Sequence, residues 1–435
     1  MLKNKVAKNA SWIIGCKIIQ AILGLIITML TARYLGPSNY GLINYAASVV
    51  AFVVPIMQLG ITNVLVQEIV QRPDEEGEIL GTSLVLCISS SLLCMTGVVS
   101  FALIANAGET ETIIVCALYS IMLFAQALEL MQYWFQAKYL SKYTAIVAVC
   151  AYLIVSAYKV FLLTTAKNVY WFAISNALDY LLISVAIIII YFKLGGQKFH
   201  FSFKTAKRLF GKSKYYIVSS LMVTIFAQTD KIMLKLMIDN AATGYYSTAV
   251  ACAGMTGFVY MAIIDSFRPL IFEKKQVSEE LFEKHLKQLY AIIIYLSLLQ
   301  SAVMTVFAGF IIKILYGAEY AASVPALQLI VWYTTFSYLG SVRNIWILAE
   351  NKQKYLWIIN LSGALLNVVL NYFLIPVWGI MGAAFASLIT QIFTNVIIGF
   401  IIRPIVHNNT IMLKSLNPKV LIDIFYKKRS KGESN

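Results

Sequence analysis

Apolar residues run along this chain in long blocks, and the blocks define its elements. Apolar windows give twelve candidate spans, at 11–31, 41–61, 81–105, 112–136, 143–165, 169–192, 215–238, 245–265, 289–315, 323–347, 355–375 and 380–402. Each has about 20 residues or more, enough to cross ~30 Å of hydrocarbon at 1.5 Å per residue. No water at that depth can satisfy backbone N–H and C=O groups. The spans are therefore expected to be α-helices and not strands of an open sheet.

Composition agrees with the pattern. The 435 residues are 60% hydrophobic and 13% charged, against about 25% charged in a soluble domain. Lys3, Lys5 and Lys8 precede the first apolar run as they would in a signal peptide. That run is interrupted by Lys17 and Gln20 and lacks a small-x-small cleavage site before Arg33, so it reads as a retained span. Six cysteines lie scattered in apolar segments without a C-x-x-C pair, and His200, His285 and His407 fall in polar connections. Neither set forms a metal or catalytic framework.

Charge sets an orientation. If the N-terminus is cytoplasmic, 27 of the 35 Lys and Arg fall in cytoplasmic segments and only Arg33 and Lys167 in the opposite connections. Such asymmetry over short loops places both termini in the cytoplasm. The net charge of +15 then reflects topology and contact with anionic lipid on the cytoplasmic side, not nucleic-acid binding.

The chain also divides in two. Residues 193–214 form a basic linker between a six-helix lobe at 1–192 and another at 215–402, and a basic tail follows at 403–435. A shift of 203 residues superposes Tyr40-Gly41-Leu42 and Ala46 on Thr243-Gly244-Tyr245 and Ala249. A shift of 212 superposes Trp134, Ala137, Lys142 and Tyr143 on Trp346, Ala349, Lys354 and Tyr355. Both halves start on the same side, so the repeat is parallel. The expected fold is all-α, with about twelve transmembrane helices in two lobes around a central cavity. The segment Val277–Tyr290, with Ser278 as N-cap and Glu279 and Glu280 in its first turn, is expected to lie along the cytoplasmic interface.

Ionisable residues within the spans need a cavity or a partner, because each costs at least ~2.5–3.5 kcal/mol at bilayer depth. They are Lys17, Glu129, Lys159, Asp179, Asp230, Lys231, Lys235, Lys313 and Arg343. Lys159 and Lys231 each fall ~24 Å into their helices, in the outer half of the membrane, and Lys17 only ~9 Å in. In one reading the lysines pair with Asp179 and Asp230 and hold helices in register. In the other, Lys17, Lys159, Lys231 and Arg343 line the cavity with surplus positive charge, which attracts anions across a low-dielectric wall.

Three stretches carry a family resemblance. They are Arg33-Tyr34-Leu35-Gly36-Pro37-Ser38-Asn39-Tyr40-Gly41, Gln228-Thr229-Asp230-Lys231-Ile232-Met233-Leu234 followed by Gly244-Tyr245-Tyr246, and Asn371-Tyr372-Phe373-Leu374-Ile375-Pro376 with Gly379, Gly382, Ala383 and Ala384. In order and nearly over the whole chain, they resemble the polysaccharide repeat-unit flippases (Wzx-type, of O-antigen, capsule and exopolysaccharide) of the multidrug/oligosaccharidyl-lipid/polysaccharide exporter superfamily. One departure is Ser213-Lys214-Tyr215-Tyr216, where such a chain would carry a proline at the entry to span 7. Physically, Gly36, Pro37 and Gly41 suit a tight turn between spans. Gly244, Pro376, Gly379 and Gly382 suit turns and close helix approach.

The resemblance implies a MATE-like architecture and a non-enzymatic activity: alternating-access transfer of undecaprenyl-pyrophosphate-linked oligosaccharide from the cytoplasmic to the outer leaflet of the cell membrane. Lys17 would first meet the diphosphate, and Lys159 and Lys231 would receive it. Na⁺ or H⁺ would be the coupling ion, with Glu129, Asp179 or Asp230 as carboxylates, and no cofactor is implied. A polysaccharide polymerase and glycosyltransferases would act beside it. A cation-coupled multidrug exporter and a lipid-linked cell-wall precursor flippase are the alternatives. A membrane polysaccharide polymerase fits less well, since every outer connection is short.

Overall fold

The structure is a computed structural model that describes the backbone of residues 2–421 and the side chains of residues 20–421. All twelve expected spans are helical. The first helix, α1, is Leu2–Met57, and Gly36 inside it has φ 70° and ψ 171°, outside helical geometry. Fifty-six residues of unbroken helix would measure ~84 Å, nearly three bilayer cores. The break at Gly36, followed by Pro37, therefore separates two spans.

The chain continues through α2 (Thr62–Gln71), α3 (Glu76–Ala105), α4 (Thr110–Leu128), α5 (Gln132–Ala137), α6 (Ser141–Thr164), α7 (Val169–Lys193) and α8 (Phe203–Met237). Then come α9 (Asn240–Gly254), α10 (Gly257–Val277), α11 (Glu279–Leu315), α12 (Ser323–Ala349), α13 (Leu356–Trp378) and α14 (Ile380–Ile392). A π-helical turn at Phe393–Ile397 leads to the short helices α15 (Ile398–Ile401) and α16 (Val406–Lys414). Among the described residues, nine helices are long and apolar enough to cross a membrane, or ten if α9 and α10, bent by 43°, form one span. The count falls below twelve for two reasons. The first two spans are joined in one element, and α12, which carries the polar residues Gln328, Thr334, Thr335, Ser337, Ser341, Arg343 and Asn344, is less apolar than the other long helices.

Contacts divide the chain into two compact units, Met1–Gly244 and Tyr245–Asn435. The helix α8, which opens the second repeat in sequence, packs with α1 and α3 and so belongs to the first unit. Apolar side chains face outward along the helices: Ile104, Val306 and Val377 are each more than 70% exposed, as lipid-facing positions should be. In lipid there is little hydrophobic drive between helices, so side-chain hydrogen bonds and small residues hold them together. Ser184 donates to the Ala125 carbonyl (3.1 Å), Ser213 to that of Leu59 (2.7 Å) and Ser301 to that of Val331 (3.0 Å).

The second unit has a large apolar core at one end. Phe282, Leu286, Leu289, Tyr290 and Ile293 of α11 are buried there with Tyr260, Ile264, Val342, Trp346 and Ile411. This corrects the expected interfacial helix at Val277–Tyr290. Ser278 does cap it, its Oγ accepting from the Leu281 N–H at 3.2 Å. No breaker follows, however, so the segment runs on as the first turns of the 37-residue α11. Its apolar face packs into protein and not onto lipid.

The repeat is visible bond by bond. In the first half, Lys138 N–H donates to the Trp134 carbonyl, Leu140 N–H to Phe135 and Tyr143 N–H to Leu140. In the second, Glu350 donates to Trp346, Lys352 to Ile347 and Tyr355 to Lys352, the same pattern 212 residues later. Tyr139 (φ 58°) and Asn351 (φ 54°) occupy the same left-handed position, as in a helix C-terminal Schellman-type turn.

The turn after Gly36 meets the start of α9 reciprocally. A Cβ on Gly41 would strike the Asn240 carbonyl oxygen, and one on Gly244 the Pro37 carbonyl oxygen. Pro37 and Asn240, like Gly41 and Gly244, are related by the shift of 203. The two segments thus touch by equivalent atoms in both directions, as across a local two-fold axis. Only residues without a Cβ fit at both glycines.

Candidate functional site

The first unit holds a polar cavity of about 290 Å³ among otherwise apolar helices. Gln20 of α1 lines it, with Glu129, Gln132 and Gln136 from the α4–α5 junction, Ser141, Thr144, Ala145 and Ala148 of α6, and Ile183 and Ile187 of α7. The arrangement follows from spacing. Glu129, Gln132 and Gln136 are three and four residues apart, one helical face, and the 3₁₀ turn Glu129–Met131 carries that face past the end of α4. Ser141, Thr144 and Ala148 keep the same spacing on α6, as do Ile183 and Ile187 on α7.

The α7 face continues beyond the cavity to Asp179 and Asn176, ~16 Å along the axis from Ile187. Asp179 lies close enough to Glu129 and to Lys159 to feel their charges. The Lys159 ammonium donates to Asn176 Oδ1 at 3.2 Å, and Asp179 Oδ1 is buried with no hydrogen-bond partner among the described residues. On the α1 side, Gly24 leaves room for the Tyr152 hydroxyl, which lies 2.9 Å from where a Cβ would be. The result is one polar strip, Gln20–Glu129–Asp179–Lys159, threaded between α1, α4, α6 and α7.

The other expected residues are elsewhere. Lys231 contacts Gln228 Oε1 at 3.5 Å, and that oxygen also accepts from Ser48 of α1 at 3.0 Å. Its neighbour Asp230 is 6% exposed and has a partner. Lys235 is paired with Glu109 at 2.6 Å, and its ammonium holds the Glu109 carboxyl below the usual carboxylate range. Arg343 is buried in the second unit. Its guanidinium donates to the Thr394 carbonyl inside the π-helical turn and to Asn344 Oδ1 at 3.4 Å. The side chain of Lys17 lies outside the described residues.

Trp134 and Trp346 are both buried. Trp134 donates to Glu76 Oε2 at 3.0 Å and sits edge-on to Phe135 and Tyr191. Gly379 (φ 57°) ends α13 just after Pro376, and Gly382 lets α14 approach the Leu374 carbonyl. Glu279, Glu283 and His407 bring ligand atoms within 4.8 Å of one another, but Glu279 is paired with Lys275 and Glu283 with Lys287. The glutamines were not foreseen as site residues. Their signal is the polar i, i+3, i+7 recurrence at Glu129, Gln132 and Gln136 in an otherwise apolar span.

A repeated all-helical bundle of membrane-length helices defines a multi-pass membrane protein. Residues 6–275 match the family described as polysaccharide biosynthesis protein, and the chain belongs to that family. It is 28% identical over 247 residues to an uncharacterized membrane protein of Methanocaldococcus jannaschii, a match covering 50% of this chain and 46% of that one. It is 22% identical over 397 residues to a putative O-antigen transporter of Shigella flexneri, covering 87% of this chain and 93% of the relative. The fold is similar to that of the lipid II flippase MurJ in an inward closed conformation, with TM-score 0.72, 18% identity and coverage of 95% and 92%. An inward-facing multidrug resistance MATE family transporter of the MOP superfamily gives TM-score 0.65 at 13% identity, covering 91% and 96%.

Proposed function

We propose that this protein is a flippase for polyprenyl-pyrophosphate-linked oligosaccharide repeat units, carrying them from the cytoplasmic to the outer leaflet during surface polysaccharide synthesis. The observation that carries the reading is the polar strip of the first unit, which ends in an ammonium held by a neutral amide. Among the described residues Lys159 donates to Asn176, a neutral amide, while Asp179 acts on it through space without a direct contact, which leaves ammonium donors for a phosphorylated headgroup. A structural ion pair would instead have satisfied it.

Membership of a polysaccharide biosynthesis family and similarity to a putative O-antigen transporter support the substrate class. The 27-to-2 distribution of basic residues supports a cell-membrane protein with both termini in the cytoplasm. Asp179, whose Oδ1 is buried with no hydrogen-bond partner among the described residues, is our candidate for taking up a coupling Na⁺ or H⁺. No covalent chemistry is needed: the headgroup crosses by alternating access while its lipid tail stays in the bilayer.

The test is a host lacking its own repeat-unit flippase. The wild-type protein restores surface polysaccharide. Lys159→Ala lowers it by tenfold or more, about 1.4 kcal/mol or more of lost interaction, at unchanged abundance in the membrane. Full restoration by Lys159→Ala overturns the assignment.

A further inference from the structure

From the cavity lining we infer that the pocket of the first unit is a saccharide subsite for an uncharged sugar, a hexose or N-acetylhexosamine. The inference rests on the flippase reading and specifies which part of the substrate this pocket holds. Its lining is rich in amides: Gln20, Gln132 and Gln136 converge with the hydroxyls of Ser141 and Thr144 and the carboxyl of Glu129. A primary amide offers an acceptor oxygen and two N–H donors, and a hydroxyl both donates and accepts. Together they match a sugar ring, on which every hydroxyl needs both. The volume of about 290 Å³ lies at the small end of ligand pockets, ~300–1,000 Å³, sized for one or two rings and not for a whole repeat unit. Ile183 and Ile187 supply an apolar wall for the C–H face of a ring.

Charge decides the class of sugar. Among the described residues, the lining has one carboxyl and no cation, and Asp179 lies just beyond it on the same α7 face. Lys138, at the turn next to the pocket, is tied to Glu76 at 2.8 Å. A uronic acid entering here would bury its carboxylate beside Glu129 without a counter-charge, which is unfavourable in any low-dielectric site. The preference for anions deduced from the lysines thus belongs to the diphosphate end of the substrate, and the glycan end follows a different rule.

The experiment uses the full chain in the flippase-deficient host with two lipid-linked repeat units, one beginning with an uncharged N-acetylhexosamine and one with a hexuronic acid. Surface polysaccharide is normalised to membrane-inserted protein. The wild type is expected to export the uncharged unit about tenfold better, and Gln132→Leu with Gln136→Leu to lose that export. Gln136 is exposed and lines the cavity, so Gln136→Lys supplies the missing cation and is expected to raise export of the uronic-acid unit relative to wild type. This gain cannot arise from misfolding. Equal export of both units by the wild type, or an unchanged ratio in Gln136→Lys, overturns the subsite while the flippase reading stands. Export of neither unit by the wild type overturns both.

Discussion

The two halves build the same turn and lead into it with different chemistry. The turn at Trp134–Tyr143 and its counterpart at Trp346–Tyr355 share their backbone hydrogen bonds and a left-handed residue. Just before them, under the same shift of 212, Met131 stands where Arg343 does and Glu129 where Ser341 does. In the first half the helix before the turn breaks into a 3₁₀ segment at Glu129–Met131 and opens a cavity beside it. In the second, α12 runs unbroken, and the irregularity lies in the chain after α14 as a π-helical turn whose Thr394 carbonyl takes the Arg343 guanidinium. Even the tryptophans differ. Trp134 Nε1 donates to Glu76, while Trp346 Nε1 has no partner among the described residues. The turn therefore acts as a scaffold indifferent to the chemistry attached to it. One half uses its polar group to line a cavity, the other to seal a bulge in a helix.

Exchanging the two residues tests this most severely. Met131 is fully buried beside an apolar neighbour in sequence, Leu130, that is buried as well. Met131→Arg therefore buries an uncompensated guanidinium at a cost of several kcal/mol, and no monodisperse protein is expected from detergent by fluorescence-detected size exclusion. Arg343→Met is milder: it fills the space but leaves the Thr394 carbonyl unpaired, at about 1–3 kcal/mol. It should stay folded with a clearly lowered melting temperature. A Met131→Arg protein that melts like wild type would mean that the first half, too, holds an acceptor for a cation, and the contrast would collapse.

Much of this was legible in the sequence, for identifiable reasons. Span positions follow from apolar run length, which depends on neighbours in the chain alone. The repeated turn could be found because tryptophan, lysine and tyrosine recur at fixed spacing. Gly36 could be singled out because glycine next to proline has few other uses in an apolar segment, and Gly41 because it recurs as Gly244 under the shift of 203. What stayed hidden depends on distant partners. Lys235 looked like an unpaired intramembrane cation until the fold brought Glu109, 126 residues away, to its ammonium. The continuation of Ser278–Tyr290 into α11 depends on a core made with α10, α12 and α16. The saccharide pocket needs four helices at once, and its glutamines, being uncharged, cost too little in a span to attract notice. The π-helical turn at Phe393–Ile397 left no mark in composition.

A finer test of the scaffold lies in its two left-handed residues. A side chain in the left-handed region costs roughly 1–2 kcal/mol, eased for asparagine because its short amide can bond locally. Tyr139 has no such relief, and at 69% exposure its ring contributes little packing. Glycine removes the Cβ conflict, while its freedom in the unfolded chain takes back about 0.4–1 kcal/mol. Tyr139→Gly should therefore come out stabilising by about 0.5 kcal/mol, a rise of ~1–2 °C in melting temperature for a unit of this size. Asn351→Gly, having less conflict to relieve, should leave the melting temperature unchanged. Equal responses at the two sites would show that residue identity does not set the strain. The first half's turn would then be as relaxed as the second's, and the difference between the halves would be confined to the helices that enter them.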